Sequence, residues 1–500
     1  MSLVFRDAFW QIFWRLVSAL AGFIVVKLLT PYLWPLRYGD YSTVLKYFAI
    51  WSALADFWIY VIALNVLGKI KDKTEKLKQY HKFLGFRFFM IFIVYFTAFL
   101  IAYFIPAYTN NPFVAYWLVI WMLFSASFMA AGIVQIPLQL NWQMKQVSIA
   151  LILARVVQLI ALFLIIFHFF PKVDFSHFSI VALCAFLAVL FSVLLSWLAQ
   201  FFYVLIMGNK FMKFKLDFDF NFIKENIKSN WKYGFSYFLS SFHTLIVLIF
   251  LSIMFPTSEW FTYVGIWAVA LALIEILLIV PSAFWNSIIH KISSYEKIEK
   301  LKALWNYLLF ILWFGFFVLF NFVLFKTSIV NFIAGPKYLT YPGHLWSDYI
   351  LPFLAIVLLF SFVKQVFNYV LVSFNHQNHL LKVNLIWVVI WVIIGLILIP
   401  KFNLYGWIIT QLVLEICFVI GAIIIAKKYK IIPTIEIKTL LLLTWLSFLF
   451  LWVSYYFLYV TKLFDKIDSS IIFFLLIAGI LNLIYLAWSY KFIRKIMSKI

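Results

Sequence analysis

Long runs of apolar residues, each about twenty residues in length, follow one another along almost the whole of this 500-residue chain. A bilayer core about 30 Å thick is crossed by about 20 helical residues, so each run predicts a membrane-spanning helix. Hydrophobic residues make up 66% of the chain and charged residues 12%, against about 45–50% and about 25% in soluble domains. The sequence therefore excludes a water-soluble globule and predicts an all-α polytopic membrane protein.

About fourteen spans of this kind are predicted, and the connections between them are too short to form an extramembrane domain. The spans are 9–34, 42–67, 83–105, 113–137, 147–170, 178–206, 233–256, 261–289, 303–325, 350–374, 383–400, 405–426, 439–460 and 471–490.

Lysine and arginine are distributed unevenly over the connections between these spans. When the connections are assigned alternately to two sides, the side with both termini holds most of the basic residues. By the positive-inside rule this side is cytoplasmic, and we expect both termini there. The net charge of +22 then reflects topology and attraction to anionic lipid headgroups, and nucleic-acid binding is not expected.

Residues 207–232 form the one long connection on the cytoplasmic side, and they divide the chain. We expect an N-terminal lobe of six spans at 1–206, the linker at 207–232, a C-terminal lobe of six spans at 233–426 and a final helix pair at 427–500. Phenylalanines interleave with lysine and aspartate in the linker. It therefore either lies in the membrane interface, apolar side down, or is a solvated connection.

A shift of 222 residues superimposes parts of the two predicted lobes. Tyr41 then falls on Tyr263, and Lys69-Ile70 falls on Lys291-Ile292. Transporters are commonly built from such repeats, with the substrate site where the repeats meet. We therefore interpret the lobes as duplicated six-helix units.

Short motifs at the ends of several spans support this interpretation. The second span begins with Gly39-Asp40-Tyr41 and contains Ala55-Asp56-Phe57, and later elements are Tyr263-Val264-Gly265, Pro281, the run from Ile329 to Gly335 followed by Tyr338, and Tyr405-Gly406. This set, which covers most of the chain, resembles the polysaccharide (O-antigen-type) flippases of the MOP (multidrug/oligosaccharidyl-lipid/polysaccharide) exporter superfamily. The resemblance implies a MOP/MATE-like fold and export of a lipid-linked oligosaccharide across the cytoplasmic membrane.

Six basic residues lie inside the predicted spans, where a charge near the bilayer centre costs about 2.5–3.5 kcal/mol. Arg87 and Lys46 are close enough to the span ends to extend to the interface. The predicted contacts for the pyrophosphate and sugar headgroup are the remaining four, Arg15, Lys27, Arg155 and Lys364. Arginine offers phosphate oxygens a planar fork, and lysine offers a point charge.

Three acidic residues, Asp56, Glu275 and Glu415, also lie within predicted spans. Each either neutralises a buried cation or is protonated because of desolvation, and we expect Asp56 to pair with Arg15 or Arg155. Alternatively, Glu275 or Glu415 provides a proton or sodium site that couples transport to an ion gradient. Because the sequence has no nucleotide-binding P-loop, no cofactor is expected beyond H⁺ or Na⁺, and no metal site is predicted.

The first lobe carries five basic residues and one acidic residue within its spans, whereas the second carries one basic and two acidic residues. A pyrophosphate needs compensating cations when it leaves water, and a cationic drug would need the opposite polarity. We therefore predict a flippase, and not an enzyme. It would move a polyprenyl-pyrophosphate-linked oligosaccharide by alternating access for cell-surface polysaccharide synthesis, as for the O-antigen of lipopolysaccharide.

Two alternatives stay open at this point. One is a MATE-type exporter of small molecules or drugs, and the other is a membrane polysaccharide polymerase or glycosyltransferase. The expected partners are the lipid-linked oligosaccharide, membrane lipids, and a polymerase and glycosyltransferases of the same pathway. We expect a monomer in the cytoplasmic (inner) membrane.

Overall fold

A computed structural model shows that the chain is built from helices. It describes residues 3–56, 59–116, 126–141, 143–229, 231, 235, 238–239, 258–278, 296–339, 346–374, 377–431 and 437–497. Every regular element in these ranges is helical, because in lipid a backbone must satisfy its N–H and C=O groups internally.

Within the described ranges, ten helices are long and apolar enough to cross a membrane, and Ala130–Leu140 and Phe261–Leu277 are shorter apolar helices. Most of the predicted span 233–256, and parts of 113–137 and 261–289, lie outside the described residues. The predicted all-α, multi-pass membrane fold is confirmed.

The helices fall into two compact units, Met1–Ala268 and Val269–Ile500. Residues 207–232 therefore lie within unit 1, and the division falls inside α10. Unit 1 contains α1 (Leu3–Asp56), α2 (Ile59–Lys69), α3 (Lys73–Tyr103), α4 (Pro106–Thr109), α5 (Ala126–Val134), α6 (Ile136–Leu140), α7 (Met144–Leu164, continued by a π-turn at Ile165–Phe169), α8 (Ile180–Gly208), α9 (220–229) and the start of α10 (Ser258–Leu277). Unit 2 contains α11 (Lys297–Leu324), α12 (Lys326–Ala334), a 3₁₀ turn (Pro336–Tyr338), α13 (Ser347–Ser373), α14 (Gln377–Lys428), α15 (Ile437–Val460), α16 (Leu463–Ser469) and α17 (Ile471–Met497).

Helix α1 packs against α3 and α7, and α7 packs against α8. The helical backbone of α1 is interrupted at Trp34 (φ 62°, ψ 167°), between Pro31 and Pro35. Proline supplies no N–H, and it disfavours a helical conformation in the residue before it. The break at Trp34 therefore separates the predicted spans 9–34 and 42–67.

After this break, α1 approaches α10 at two glycines. A Cβ on Gly39 would overlap the carbonyl oxygen of Phe261, and a Cβ on Gly265 would overlap that of Pro35. Residues with side chains do not allow backbones to come this close. These glycines belong to two of the motifs noted in the sequence, and they set the contact between α1 and α10 inside unit 1.

Helix α14 reverses direction within its 52 residues. The rings of Trp391 and Trp407 are 5.6 Å apart, whereas sixteen residues of straight helix would extend about 24 Å. A Cβ on Gly406 would overlap the carbonyl oxygen of Leu398, so glycine permits the close return. The two arms are the candidate spans Leu381–Phe402 and Leu404–Lys428, in agreement with two predicted spans.

The C-terminal helices pack on α11, which is the most buried of the described candidate spans, whereas α15 and α17 are the least buried. Tyr485 of α17 stacks on Trp313 of α11 and packs against Phe450 of α15. Asn321 and Asn482 exchange two side-chain hydrogen bonds of 2.9 Å. Such amide contacts hold helices together in lipid. The C-terminal helices α15 and α17 are therefore an integral part of unit 2.

Candidate functional site

The predicted site residues are divided between the two units. Arg15, Lys27, Asp56 and Arg155 belong to unit 1, and Glu275, Lys364 and Glu415 belong to unit 2. Arg15 lies on α1, but its side chain lies outside the described residues. Lys27 is exposed on α1, and Glu275 is partly buried on α10. Asp56, Arg155, Lys364 and Glu415 have well-defined polar partners.

Asp56, at the end of α1, pairs with Arg87 of α3. Arg87 donates to the Asp56 carboxylate over 2.6 Å and to the carbonyl oxygen of Ala55 over 3.0 Å. The Arg87 side chain is buried, while that of Asp56 is about one-third exposed. Arg87 does not extend to the interface as the sequence predicted, because the carboxylate and carbonyl at the end of α1 bind its guanidinium inside the unit.

Arg155, in the middle of α7, has a neutral partner. Its guanidinium donates to the amide oxygen of Gln158, 3.0 Å away and one turn along the same helix. The buried phenol of Tyr41 on α1 lies near this guanidinium. Among the described residues no carboxylate pairs with Arg155, so the predicted pairing with Asp56 is wrong for this arginine. Its positive charge remains unbalanced within a candidate membrane span.

A third buried arginine, Arg37, forms an ion pair that the sequence analysis missed. It donates to Asp40 over 2.8 Å within α1, and its guanidinium carbon lies 3.7 Å from the centroid of the Phe113 ring. Asn111 donates to the other oxygen of Asp40 over 2.7 Å. The i, i+3 spacing of Arg37 and Asp40 was visible in the sequence. Both residues fall between the predicted spans 9–34 and 42–67, so they are not among the charges predicted inside the membrane.

Lys364 and Glu415 form the corresponding pair in unit 2. Lys364 of α13 donates to the Glu415 carboxylate of α14 over 3.0 Å, and Ser361 donates to the same oxygen over 2.9 Å. Glu415 is 1% exposed and Lys364 12% exposed. Both were predicted site residues, with different roles, and the structure places them in direct contact. Their charges therefore balance each other.

The cations fall into two groups according to whether their partner is a carboxylate or a neutral group. Arg37, Arg87 and Lys364 each face a carboxylate, which satisfies their charge inside the protein. Arg155 donates one of its five N–H groups to an amide oxygen, a neutral partner that does not balance its charge. A phosphate oxygen is the acceptor that a guanidinium binds best, through paired charge-assisted hydrogen bonds.

Several solved membrane transporters have a similar fold. The lipid II flippase MurJ, in an inward closed conformation, matches with a TM-score of 0.64 at 16% identity, over 98% of this chain and 100% of that chain. The MATE multidrug transporter DinF-BH in complex with R6G matches with a TM-score of 0.61 at 12% identity, over 87% and 97%. An inward-facing MATE transporter of the MOP superfamily gives 0.55 at 12% identity, over 83% and 94%. The chain therefore shares the fold of these transporters.

The sequence also matches a protein family directly. The profile of the polysaccharide biosynthesis protein family matches residues 4–280, more than half of the chain. No curated protein matches the sequence. The chain belongs to the polysaccharide biosynthesis protein family, and the resemblance noted from its motifs is confirmed.

Proposed function

We propose that this protein is a flippase for a polyprenyl-pyrophosphate-linked oligosaccharide, which it moves across the cytoplasmic membrane by alternating access. Membership of the polysaccharide biosynthesis family supports a role in that pathway. The fold shared with the lipid II flippase MurJ is consistent with a lipid-linked substrate. The observation that carries the proposal is the charge of Arg155, which lies in a candidate membrane span and has no carboxylate partner among the described residues.

In this proposal Arg155 binds the pyrophosphate group. Gln158 holds one nitrogen of the guanidinium through its amide oxygen, which orients the group without cancelling its charge. Each phosphate oxygen that replaces water at Arg155 forms a charge-assisted hydrogen bond, about twice as strong as a neutral one. Arg15 and Lys27, both on α1, add positive charge for the headgroup, while the polyprenyl tail stays in lipid.

The pair of Lys364 and Glu415 is assigned to coupling with an ion gradient rather than to the substrate. Protonation of Glu415, or Na⁺ binding to its carboxylate and to the Ser361 hydroxyl, would weaken the hold of Glu415 on Lys364. Either event changes the charge balance of a buried group, which is a common basis for a conformational switch. Glu275 is the second acidic candidate for the same role.

The cellular setting follows from the same proposal. A flippase of this kind works in the cytoplasmic membrane with both termini in the cytoplasm, receives substrate from glycosyltransferases there, and delivers it to a polymerase on the other side. We propose that it does so as a monomer, without enzymatic activity of its own.

The proposal is tested by locating the lipid-linked oligosaccharide in cells that lack the protein. We expect complete oligosaccharide units to accumulate in the inner leaflet, and expect wild-type protein but not Arg155→Ala to restore their export. The matched control replaces the balanced pair by apolar residues, Arg87→Met with Asp56→Leu, and should restore export.

Other distributions would contradict the flippase assignment. Units delivered to the outer leaflet but left unpolymerised would indicate a polymerase. A normal pool in both leaflets would overturn the lipid-linked substrate and favour a MATE-type exporter of small molecules.

A further inference from the structure

Residues 209–229 connect α8 to the rest of the chain and lie along the first half of α3. We call this segment the strap. Residues 213–219 have no regular secondary structure, and residues 220–229 form α9. The sequence left two alternatives for this region, an interfacial segment with its apolar side towards the membrane and a solvated connection.

The strap is bound to α3 by backbone and side-chain contacts. The backbone N–H of Asp217 donates to the carbonyl oxygen of His81 over 3.3 Å, and Asp219 pairs with Lys82 over 2.7 Å. A Cβ on Gly85 would overlap the carbonyl oxygen of Asp217, so this glycine lets the two backbones meet. This part of the linker is therefore packed on α3 along one side.

The apolar side of the strap faces protein. Met212, Phe214 and Leu216 alternate with exposed residues and pack on the core cluster that includes α3. In α9, Ile223 is buried, and the ring of Phe222 lies 5.0 Å from that of Phe83. The alternation has the period of two residues expected of an extended chain with one covered face. These apolar residues are covered by α3 and its neighbours. The exposed residues of the strap form its opposite side, which we call its outer face.

The outer face of the strap combines aromatic and basic side chains. It exposes Phe211, Phe218 and Phe220, among the exposed lysines Lys210, Lys213, Lys215, Lys224 and Lys228. Exposed phenylalanines surrounded by lysines are typical of segments that sit at the headgroup boundary, where apolar rings enter the acyl region and cations meet anionic lipid.

The aromatic part of this face is continuous with the lipid-facing surface of α3. The ring of Phe220 lies 5.7 Å from that of Phe89. One and two turns further along α3, Phe92 and Phe96 are exposed and stack on each other at 6.3 Å. Because α3 is a candidate membrane span, a bilayer that covers its exposed aromatic rings also reaches Phe220.

We propose that the outer face of the strap binds an anionic bilayer surface, with Phe218 and Phe220 in the interface and the exposed lysines on lipid phosphates. This assignment concerns membrane lipid and not the transported substrate, so it does not depend on the flippase proposal. The strap then anchors the cytoplasmic end of α3 to the leaflet as well as to the protein.

A fluorophore at position 218 tests the proposal. Phe218→Cys is made with Cys184→Ser and Cys417→Ser, labelled with nitrobenzoxadiazole, and placed in nanodiscs of phosphatidylcholine with or without phosphatidylglycerol. We expect blue-shifted emission and protection from iodide, both stronger with phosphatidylglycerol, and quenching by spin-labelled lipid. High salt should weaken the effect, since the Debye length falls from about 10 Å at 0.1 M to about 3 Å at 1 M.

Lysine variants in the same labelled protein give the decisive comparison. With Lys213→Gln, Lys215→Gln and Lys224→Gln, the equilibrium constant for contact of the strap with lipid should fall about fivefold for each lysine removed. Lys172→Gln is the matched control, because Lys172 is exposed but belongs to a connection predicted on the opposite side, and it should change nothing.

Three results would overturn the proposal. A label that iodide reaches equally in both lipids would show that the strap faces water. Protection that is the same in both lipids and insensitive to the three lysine changes would show that anionic lipid is not recognised. Protection that requires added cytosolic protein would assign the face to a soluble partner.

Discussion

Helices α3 and α7 of unit 1 each carry one arginine into a membrane span, and the two arginines have different partners. Arg87 on α3 donates to the carboxylate of Asp56, whereas Arg155 on α7 donates to the amide oxygen of Gln158. Arg87 also donates to a backbone carbonyl of α1, so it joins two helices. The partner of Arg155 lies on its own helix.

The difference shows how a costly intramembrane charge is used. A cation with a carboxylate partner contributes to packing, and removal of either partner leaves an uncompensated charge in a medium of low dielectric. A cation with only a neutral partner adds little to packing and retains its attraction for an anion. We therefore assign Arg87 to the fold and Arg155 to the substrate.

The largest expected effect is on stability, from Asp56→Ala. This change leaves the buried guanidinium of Arg87 without its carboxylate and should cost about 3 kcal/mol, the lower end for a broken buried pair because Asp56 is partly exposed. The measurement is thermal unfolding of the purified protein in detergent. The double variant Arg87→Met with Asp56→Leu should recover most of the loss. If Asp56→Ala were as stable as the wild type, Arg87 would not depend on its carboxylate partner, and the structural difference between Arg87 and Arg155 would be lost.

A similar loss is expected in unit 2 from Glu415→Leu, which leaves Lys364 buried without its carboxylate. We expect a destabilisation of about 3 kcal/mol, and recovery when Lys364→Met is added. A double-mutant cycle on unfolding midpoints in detergent measures the coupling. If Glu415→Leu were as stable as the wild type, Lys364 would not need a carboxylate partner. Lys364 would then resemble Arg155, and a carboxylate partner would not mark a cation as part of the fold.

A smaller loss of stability is expected from Gly39→Ala. This change tests the comparison because Gly39 lies two residues before Tyr41, the buried neighbour of Arg155. The added Cβ would overlap the carbonyl oxygen of Phe261, and relief of that overlap should cost about 1–3 kcal/mol. Gly22→Ala is the control on the same helix, since a Cβ there meets nothing within 4 Å. It should stabilise by about 0.5–1 kcal/mol, and equal unfolding temperatures for the two variants would contradict the close helix contact.

The smallest effect concerns the partly exposed pair of Lys82 and Asp219. The hydrogen bond from Lys82 lowers the pKa of Asp219 below its usual value. A carboxylate with a lowered pKa stabilises the folded state above its unfolded pKa, and the contribution is lost as the pH falls through the folded pKa. We expect the protection of the strap amides, taken relative to their intrinsic exchange rates at each pH, to fall below about pH 4.

Asp219→Asn should lower this protection already at neutral pH and remove its acid dependence. Glu225→Gln, a change at an exposed carboxylate of the same segment, should leave the acid dependence in place. A strap whose protection is independent of pH in the wild-type protein would show that the pair with Lys82 is not what holds it.

The membrane spans could be predicted from the sequence because burial in lipid requires about twenty apolar residues per helix, a property of each segment alone. The partners of the buried charges could not. The contact of Arg87 with Asp56 depends on how α1 and α3 are rotated and placed, and the depth of Arg87 in its span alone suggested an interfacial side chain. Likewise, the sequence shows the phenylalanines of the linker, but it does not show that they pack on α3, because that contact depends on the tertiary structure.

The central claim is that the unbalanced charge of Arg155 binds a pyrophosphate attached to a prenyl chain. The most direct test is the affinity of purified protein for farnesyl pyrophosphate, with farnesol as the uncharged control. The account predicts binding to the wild type and to Arg87→Met with Asp56→Leu, and at least about tenfold weaker binding to a folded Arg155→Gln, the loss of one charged hydrogen bond. Equal affinity in wild type and Arg155→Gln would contradict it.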